Sequence, residues 1–367
     1  MDEQICRLNR AIDFAIETNN AVFYKAIKVN QRIDHAKNVC VFGTGGFFEG
    51  YHGYLKRIDF VCDNNEEKSG SVISGYTCVS PDKLKELDDV VVIIMVGNYK
   101  KVQKQLNEMQ IENYLFTDLF MNVYTTYHDA GWFEAQREKV LAAYQMFEDT
   151  LSKECFVESI CHRIAPFLAQ KTFHEIESEN EYFSDELYQL TDYETYVDVG
   201  AFDGDTVENF VKAVGEKYNK IYAFELDKRN FERMKIRLEK YKDEKISLFN
   251  YGCSDVEKEV RYISGETGSN VTDEGDEEAK LVKIDNYVQG EATLLKMDIE
   301  GAEIAALEGA RKVIGRNTPK LIISAYHRLE DLWDIPLKIK EINSNYKLYL
   351  RHHSPMVWDT DCYALSE

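Results

Sequence analysis

Twice along this chain a short run of β-branched and aromatic residues stops at a glycine-bearing turn and gives way to a helical pattern. The first is "NVCVFGTGGFFEGYHGYL", from Asn38 to Leu55, and the second is "YVDVGAFDGDT", from Tyr196 to Thr206. A strand that feeds a helix cannot fold back as a hairpin, so the following strand lies parallel to it. Both runs continue in that rhythm. After the first come "IDFVCDNN" and "VVVIIMVGN" as strands and "KKVQKQLNEMQ" as a polar helix. After the second, "KIYAFELD", "ISLFNYGCSD", "ATLLKMDIEG" and "KLIISAYH" read as strands. Helical spacings at Phe231, Met234, Leu238 and Tyr241, and at Ile304, Leu307 and Ile314, fall between them. "YKLYLRHH" and "DCYALS" close the chain as a hairpin-like pair.

At 367 residues there is room for two such units and a connector. Ile5, Leu8, Ile12 and Ile16 predict helix within 3–35, with Asn19-Asn20 as a break or an N-cap. Val140, Tyr144, Phe147 and Leu151 lay one apolar stripe in a helical stretch from about 132 to 190. The expected fold class is α/β, with two Rossmann-like parallel-sheet domains joined by a helical connector. The boundaries are helices over 1–36, a first sheet domain over 37–125, the connector over 126–190 and a second sheet domain over 191–367. The polar stretch "SGETGSNVTDEGDEE" (264–278) is expected to be a mobile loop.

Acids outnumber bases 65 to 44, a formal charge of −21. A polyanion meets a repulsive field, so nucleic acid is not an expected partner. No apolar run approaches the roughly 20 residues that span a bilayer, and "MDEQICRLNR" is no secretory signal. The eight cysteines form no C-x-x-C pair and several sit in apolar runs, which reads as reduced thiols in a cytoplasmic protein with no zinc site.

The second glycine turn carries the chemistry. Ligands of open α/β sheets bind at the carboxyl ends of the strands, and a missing Cβ lets them approach the backbone. Gly200 and Gly204 would supply that room. A phosphate would want basic help, yet Asp198, Asp203 and Asp205 surround the turn. Glu225 ends the next strand, where an acid accepts both hydroxyls of a ribose. An ammonium, a ribose and tolerance for positive charge describe S-adenosylmethionine better than NAD. In "GCSD", Ser254 or Asp255 is placed for an adenine amine, although either is equally a helix cap. In "LLKMDIEGAE", Asp298 and Glu300 emerge at a strand end before Gly301, facing the ligand's reactive end or marking ordinary strand-end polarity.

From about Tyr182-Phe183 onward the ordered set "VDVGAFDGDT", "IYAFELD", "NYGCSD", "LLKMDIEGAE" and "YKLYLRHHSPMVWDTDCYA" resembles the FkbM-type family of S-adenosylmethionine-dependent methyltransferases. The resemblance implies a class I methyltransferase-like seven-stranded sheet over 191–367, with an antiparallel strand near the C-terminus. It implies methyl transfer to hydroxyl oxygens of sugars or natural products. Carried over, Asp198, Gly200 and Gly204, with Phe202, Asp203, Asp205 and Thr206 of the same turn, would hold the methionine end of the cofactor. Glu225 and Leu226 would hold the ribose, Ser254 or Asp255 the adenine edge, and Asp298 and Glu300 would lie near the sulfonium and the acceptor. Phe202 departs from the glycine many methyltransferases have there, so the turn is expected to wrap the ligand less tightly.

An alcohol needs a general base within hydrogen-bond reach. His327, ending "LIISAYH" beside the strand of Asp298, is the candidate, with Asp298 raising its basicity. His352 and His353 are runners-up facing the acceptor with Tyr182, and at most one of the pair should point inward. Asp298, Glu300 and His327 alternatively suit a divalent metal, although their spacing does not demand one. In the first unit, Gly43, Gly45, Gly46 and Asp63 fit a dinucleotide fingerprint, except that Phe48 stands where the third glycine belongs. That unit looks similar to modules of polysaccharide-biosynthesis enzymes. It is read as a scaffold, or else as a site for NAD or another nucleotide. The leading expectation is an O-methyltransferase acting on a carbohydrate or nucleotide-linked sugar. The alternatives are an NAD-dependent sugar oxidoreductase or epimerase and a non-catalytic assembly subunit. The helices over 3–35 offer a surface for a homodimer.

Overall fold

The computed structural model describes residues 2–120, 127–183, 186–241, 244–264 and 269–366. The first sheet holds β1 (Asn38–Phe42), β2 (Phe60–Cys62), β3 (Val72–Ile73), β4 (Tyr76–Val79), β5 (Val90–Ile94) and β6 (Glu112–Leu115). Their order is β3-β4-β2-β1-β5-β6, parallel throughout except between β3 and β4. The apolar runs announce β1, β2 and β5. The other three are short, partly exposed edge or near-edge strands without a continuous apolar run.

The second sheet is built from β7 (Thr195–Val199), β8 (Lys220–Phe224) and β9 (Ile246–Phe249). A small sheet follows, with β10 (Gly252–Cys253), β11 (Lys258–Ile263), β12 (Asn270–Val271) and β13 (Glu277–Val282). Then come β14 (Leu294–Met297), β15 (Lys320–Ser324), β16 (Lys347–His352) and β17 (Thr360–Leu365). The large sheet runs β16-β17-β15-β14-β7-β8-β9, and only β17 is antiparallel to its neighbours. This is the seven-stranded sheet expected over 191–367, with its strand order reversing between β7 and β14. The loop expected over 264–278 is largely structured: β12 and β13 both pair with β11, and residues 265–268 lie outside the described residues. The boundary expected at 125–126 also falls outside them.

Helices Glu3–Glu17 and Ala21–His35 are separated at Asn19 and Asn20, both left-handed, and Asn20 makes no cap bond, so the pair is a break. Leu8, Ala11, Ile12 and Ala15 are buried, and Arg7 reaches Glu158 at 2.8 Å on the connector. The first helix packs on helices Ala130–Met146 and Thr150–Ile164, which cover its apolar face. The expected stripe crosses a helix end. Phe147 bridges to Leu348, and Asp149 caps the next helix by accepting the Ser152 amide at 2.7 Å. Among the described residues, the helices between Ile164 and β7 are short 3-10 turns. The segment between β16 and β17 reaches the first unit, where the Trp358 ring lies 6.1 Å from Tyr51 and 5.6 Å from Tyr54. Among the described residues no helix is long and apolar enough to cross a membrane.

The register of β14 against β7 places Lys296 beside Asp198. The Lys296 ammonium lies 3.3 Å from Asp198 Oδ1 with both side chains buried, and it donates to the Gly200 carbonyl at 2.9 Å. Thr206 Oγ1 donates to the other Asp198 oxygen at 2.5 Å. Burial opposes the Lys296 charge, but Asp198 and Asp298 hold its pKa above the ordinary value. Removing one member of a buried pair strands the other. Lys296→Met is therefore expected to cost about 3–5 kcal/mol of unfolding free energy, with Asp198→Asn/Lys296→Met recovering part of it in denaturant titrations.

Candidate functional site

A cavity of about 490 Å³ opens at the carboxyl ends of β7, β8 and β14, where ligands enter sheets of this kind. Small-molecule sites span roughly 300–1,000 Å³. Gly200, at φ +80°, stands on its wall because a Cβ there would lie 1.8 Å from the Asp298 carbonyl oxygen. The room that the sequence reading assigned to a ligand is thus used by the chain, to bring two strand ends together. Gly204 is likewise needed for packing, since its Cβ would meet Met234 at 2.9 Å.

Glu225 ends β8 on the cavity wall, only 8% exposed. The amides of Phe202 and Asp227 donate to its two oxygens at 2.9 and 2.7 Å, and Asn250 ties down the carbonyls of Glu225 and Leu226. Each oxygen keeps a lone pair for a ligand hydroxyl. Burial raises Glu225 to about 7, against the pull of those amides. Leu226, Tyr251, Cys253, Ser254, Val271 and Leu281 continue the wall as a mostly apolar recess. Ser254 donates to Asp255 at 3.1 Å; Asp255 itself is exposed and off the wall.

Phe202, Asp205 and Thr206 also line the cavity, but Asp198 lies behind it, engaged by Lys296 and Thr206. Asp203 is turned to Arg237. At the opposite end Asp298 accepts hydroxyls from Tyr182 at 3.1 Å and Tyr326 at 3.4 Å, and Glu181, Glu300 and Asp359 join the wall. Burial, then Glu181 and Asp298, push Asp359 up to about 8.

His327 does meet Asp298, as the adjacency of β14 and β15 implied. Its Nε2 lies 3.3 Å from Asp298 Oδ1 and 3.5 Å from Glu300 Oε2, and Nδ1 lies 3.1 Å from Glu303 Oε1. It sits behind Asp298 and Glu300 rather than on the wall. Burial lowers its pKa, but Glu303, Asp298 and Glu300 together raise it to about 10. Such an imidazole is already protonated at neutral pH and has no lone pair with which to act as the expected base. His352 is buried, stacked on Phe173 and bonded to Thr360. His353 bonds the Ser178 carbonyl and Tyr363. Both point into packed surroundings, not into the cavity, because His353 lies past the end of β16 where strict alternation lapses.

Lys296, on the wall 5.3 Å from the Tyr182 ring centre, was missed by the sequence reading. Its signal was a lysine inside the apolar strand "LLKMD". Glu181 and Asp359 lie in irregular segments that only the topology brings to the cavity. In the first unit, a Cβ on Gly43 would meet Val96 at 2.3 Å. Asp63 is engaged by Thr44, by Lys68 at 2.9 Å and by the Asn65 amide. Phe48 is buried in the core. The acid that a dinucleotide ribose would need is therefore taken by the protein's own donors.

Residues 198–348 match the family model for the methyltransferase FkbM domain, and residues 35–116 match that for the C2185-like N-terminal region. The chain is similar in structure to methyltransferase FkbM from Methylobacillus flagellatus KT, at 23% identity with a TM-score of 0.68, covering 98% of this chain and 99% of that one. It also aligns with an rRNA methylase from Streptococcus thermophilus, at 15% identity with a TM-score of 0.34, covering 48% of this chain and 89% of that one. No curated protein matches the sequence.

The Glu225 carboxyl has a folded pKa of about 7 against an ordinary 4.5. Its contribution to stability is therefore full below about pH 4.5 and lost as pH rises through 7. The stability of the protein relative to Glu225→Gln should fall across that window by on the order of 3 kcal/mol at most, then level off. Denaturant titrations of both proteins from pH 4.5 to 8.5 measure this, and a pH-independent difference would exclude the raised carboxyl.

Proposed function

We propose that this chain, an S-adenosylmethionine-dependent methyltransferase whose residues 198–348 match the FkbM methyltransferase domain, methylates a hydroxyl oxygen of a carbohydrate or nucleotide-linked sugar in polysaccharide biosynthesis. One observation carries the reading: a single cavity has two ends with different chemistry. At one end Glu225 offers two half-satisfied oxygens to a vicinal diol, and at the other Asp298 stands between two tyrosine hydroxyls.

In this reading Glu225 and Leu226 hold the ribose and Ser254 the edge of the base. Gly200, Phe202, Asp205 and Thr206 surround the amino-acid end. Asp198 works from behind the wall, fixing Lys296 and Thr206, and Asp203 anchors Arg237. When bound, the cofactor supplies an electrophilic methyl on a positively charged sulfur, a charge that a carboxylate-rich wall favours. The chain's part is to hold the acceptor oxygen in line and keep water out. The Asp298 oxygen nearest Tyr182 is placed to take the acceptor's proton. Burial keeps Tyr182 protonated far above the ordinary range, so it remains a hydrogen-bond donor there. His327 is a positioning residue that fixes Asp298 and Glu300.

Labelled S-adenosylmethionine incubated with a panel of sugars, nucleotide sugars and oligosaccharides tests this. Asp298→Asn should lower kcat by about 10²–10⁴ with cofactor affinity retained. Glu225→Ala should weaken cofactor binding by about 10–100-fold. Cofactor binding without transfer to any carbohydrate would rule out the acceptor class, and an unchanged kcat in Asp298→Asn would remove the assigned base.

A further inference from the structure

Behind the acceptor end of the cavity, side chains converge in a way that holding a cofactor does not require. One donor atom from each of Asp298, Glu303 and His327 lies within 4.8 Å of the other two, and Glu300 approaches the same imidazole at 3.5 Å. Glu303 is held in place by the Ile299 amide, which donates to Oε1 at 2.8 Å. The His327 side chain is 3% exposed and that of Glu303 is fully buried. Even so, Nδ1 of His327 and Oε2 of Glu303 lack a hydrogen-bond partner among the described residues. A buried carboxylate oxygen without a donor is costly and calls for a positive partner. Glu303 lies on the Nδ1 side of the ring at 3.1 Å, and Asp298 and Glu300 lie on the Nε2 side at 3.3 and 3.5 Å, so one ring nitrogen and the carboxylates beside it supply ligands while the other nitrogen stays turned to a carboxylate.

We propose that Asp298, Glu303 and His327 form a divalent-cation site, completed on the cavity side by Glu300, which orients the hydroxyl groups of the acceptor. The proposal rests on the methyltransferase reading of the cavity. Several carboxylates with one imidazole suit Mn²⁺ or an ion of similar hardness, and the ion takes the place of the His327 proton, which is released to solvent as it binds. Asp298 divides its two oxygens between the tasks. Oδ1 faces His327, while Oδ2 accepts the Tyr182 hydroxyl on the cavity side. An ion there would polarise an acceptor hydroxyl beside that oxygen and fix the rotation of a sugar diol.

The test uses the full chain, stripped with a chelator and titrated with Mn²⁺ while the electron paramagnetic resonance signal of the free ion is followed. One ion per chain is expected, with affinity about 10–100-fold weaker in Glu303→Gln and in Asp298→Asn, both checked for folding by thermal melting. Absence of saturable Mn²⁺ binding to the wild-type chain at millimolar concentration would overturn the site, as would wild-type affinity in both folded variants. S-adenosylmethionine binding is measured separately by calorimetry. Mn²⁺ bound without cofactor binding would defeat the cavity reading and leave the ion site standing. Cofactor bound without Mn²⁺ would do the reverse.

Discussion

A lysine ammonium buried against a carboxylate at the centre of the seven-stranded sheet sets the terms for everything around it. Lys296 and Asp198 face each other across β14 and β7, the strands between which the order reverses. Neither charge can be left alone at that depth. The pair therefore fixes the register of the two strands, and the Gly200 carbonyl and the Thr206 hydroxyl are drawn in to complete it. The turn after β7 is in this way tied to the strand that carries Asp298. Gly200 seals the join, because any side chain there would collide with the Asp298 carbonyl.

From that join the cavity acquires its polarity. On the β8 side a single acid, Glu225, is held by backbone amides in otherwise apolar surroundings. On the β14 and β15 side, carboxylates crowd around one histidine. The same element type produces opposite outcomes because the neighbours differ. Glu225 is held by backbone amides, whereas Asp298, Glu300 and Glu303 share His327. The histidine's role follows from its surroundings rather than from its identity: three acids hold its proton, and Asp298 is left as the group that faces the cavity.

Much of this was legible beforehand, for physical reasons. Long apolar runs gave every central strand of both sheets, and strand-end acids gave Glu225 and Asp298, since a charge at the end of a buried strand has few places to go. What escaped was what neighbours in space decide. The glycines were read as room for a ligand, but the space belongs to Asp298 and Met234. Lys296 was passed over because its partner lies on another strand, nearly a hundred positions away. Glu181 and Asp359 occupy irregular segments without a pattern. The stripe through Phe147 ran straight across a helix end, because periodicity does not register a cap such as Asp149.

Trp358, packed beside two tyrosines of the first unit, immediately precedes Asp359 on the cavity wall. The amino-terminal half therefore shapes the Asp298 end of the cavity at one remove, through a single peptide link. Cut away, it would leave the Glu225 end of the cavity intact but the opposite rim without a fixed edge, so the two ends of one cavity depend on different lengths of the same chain.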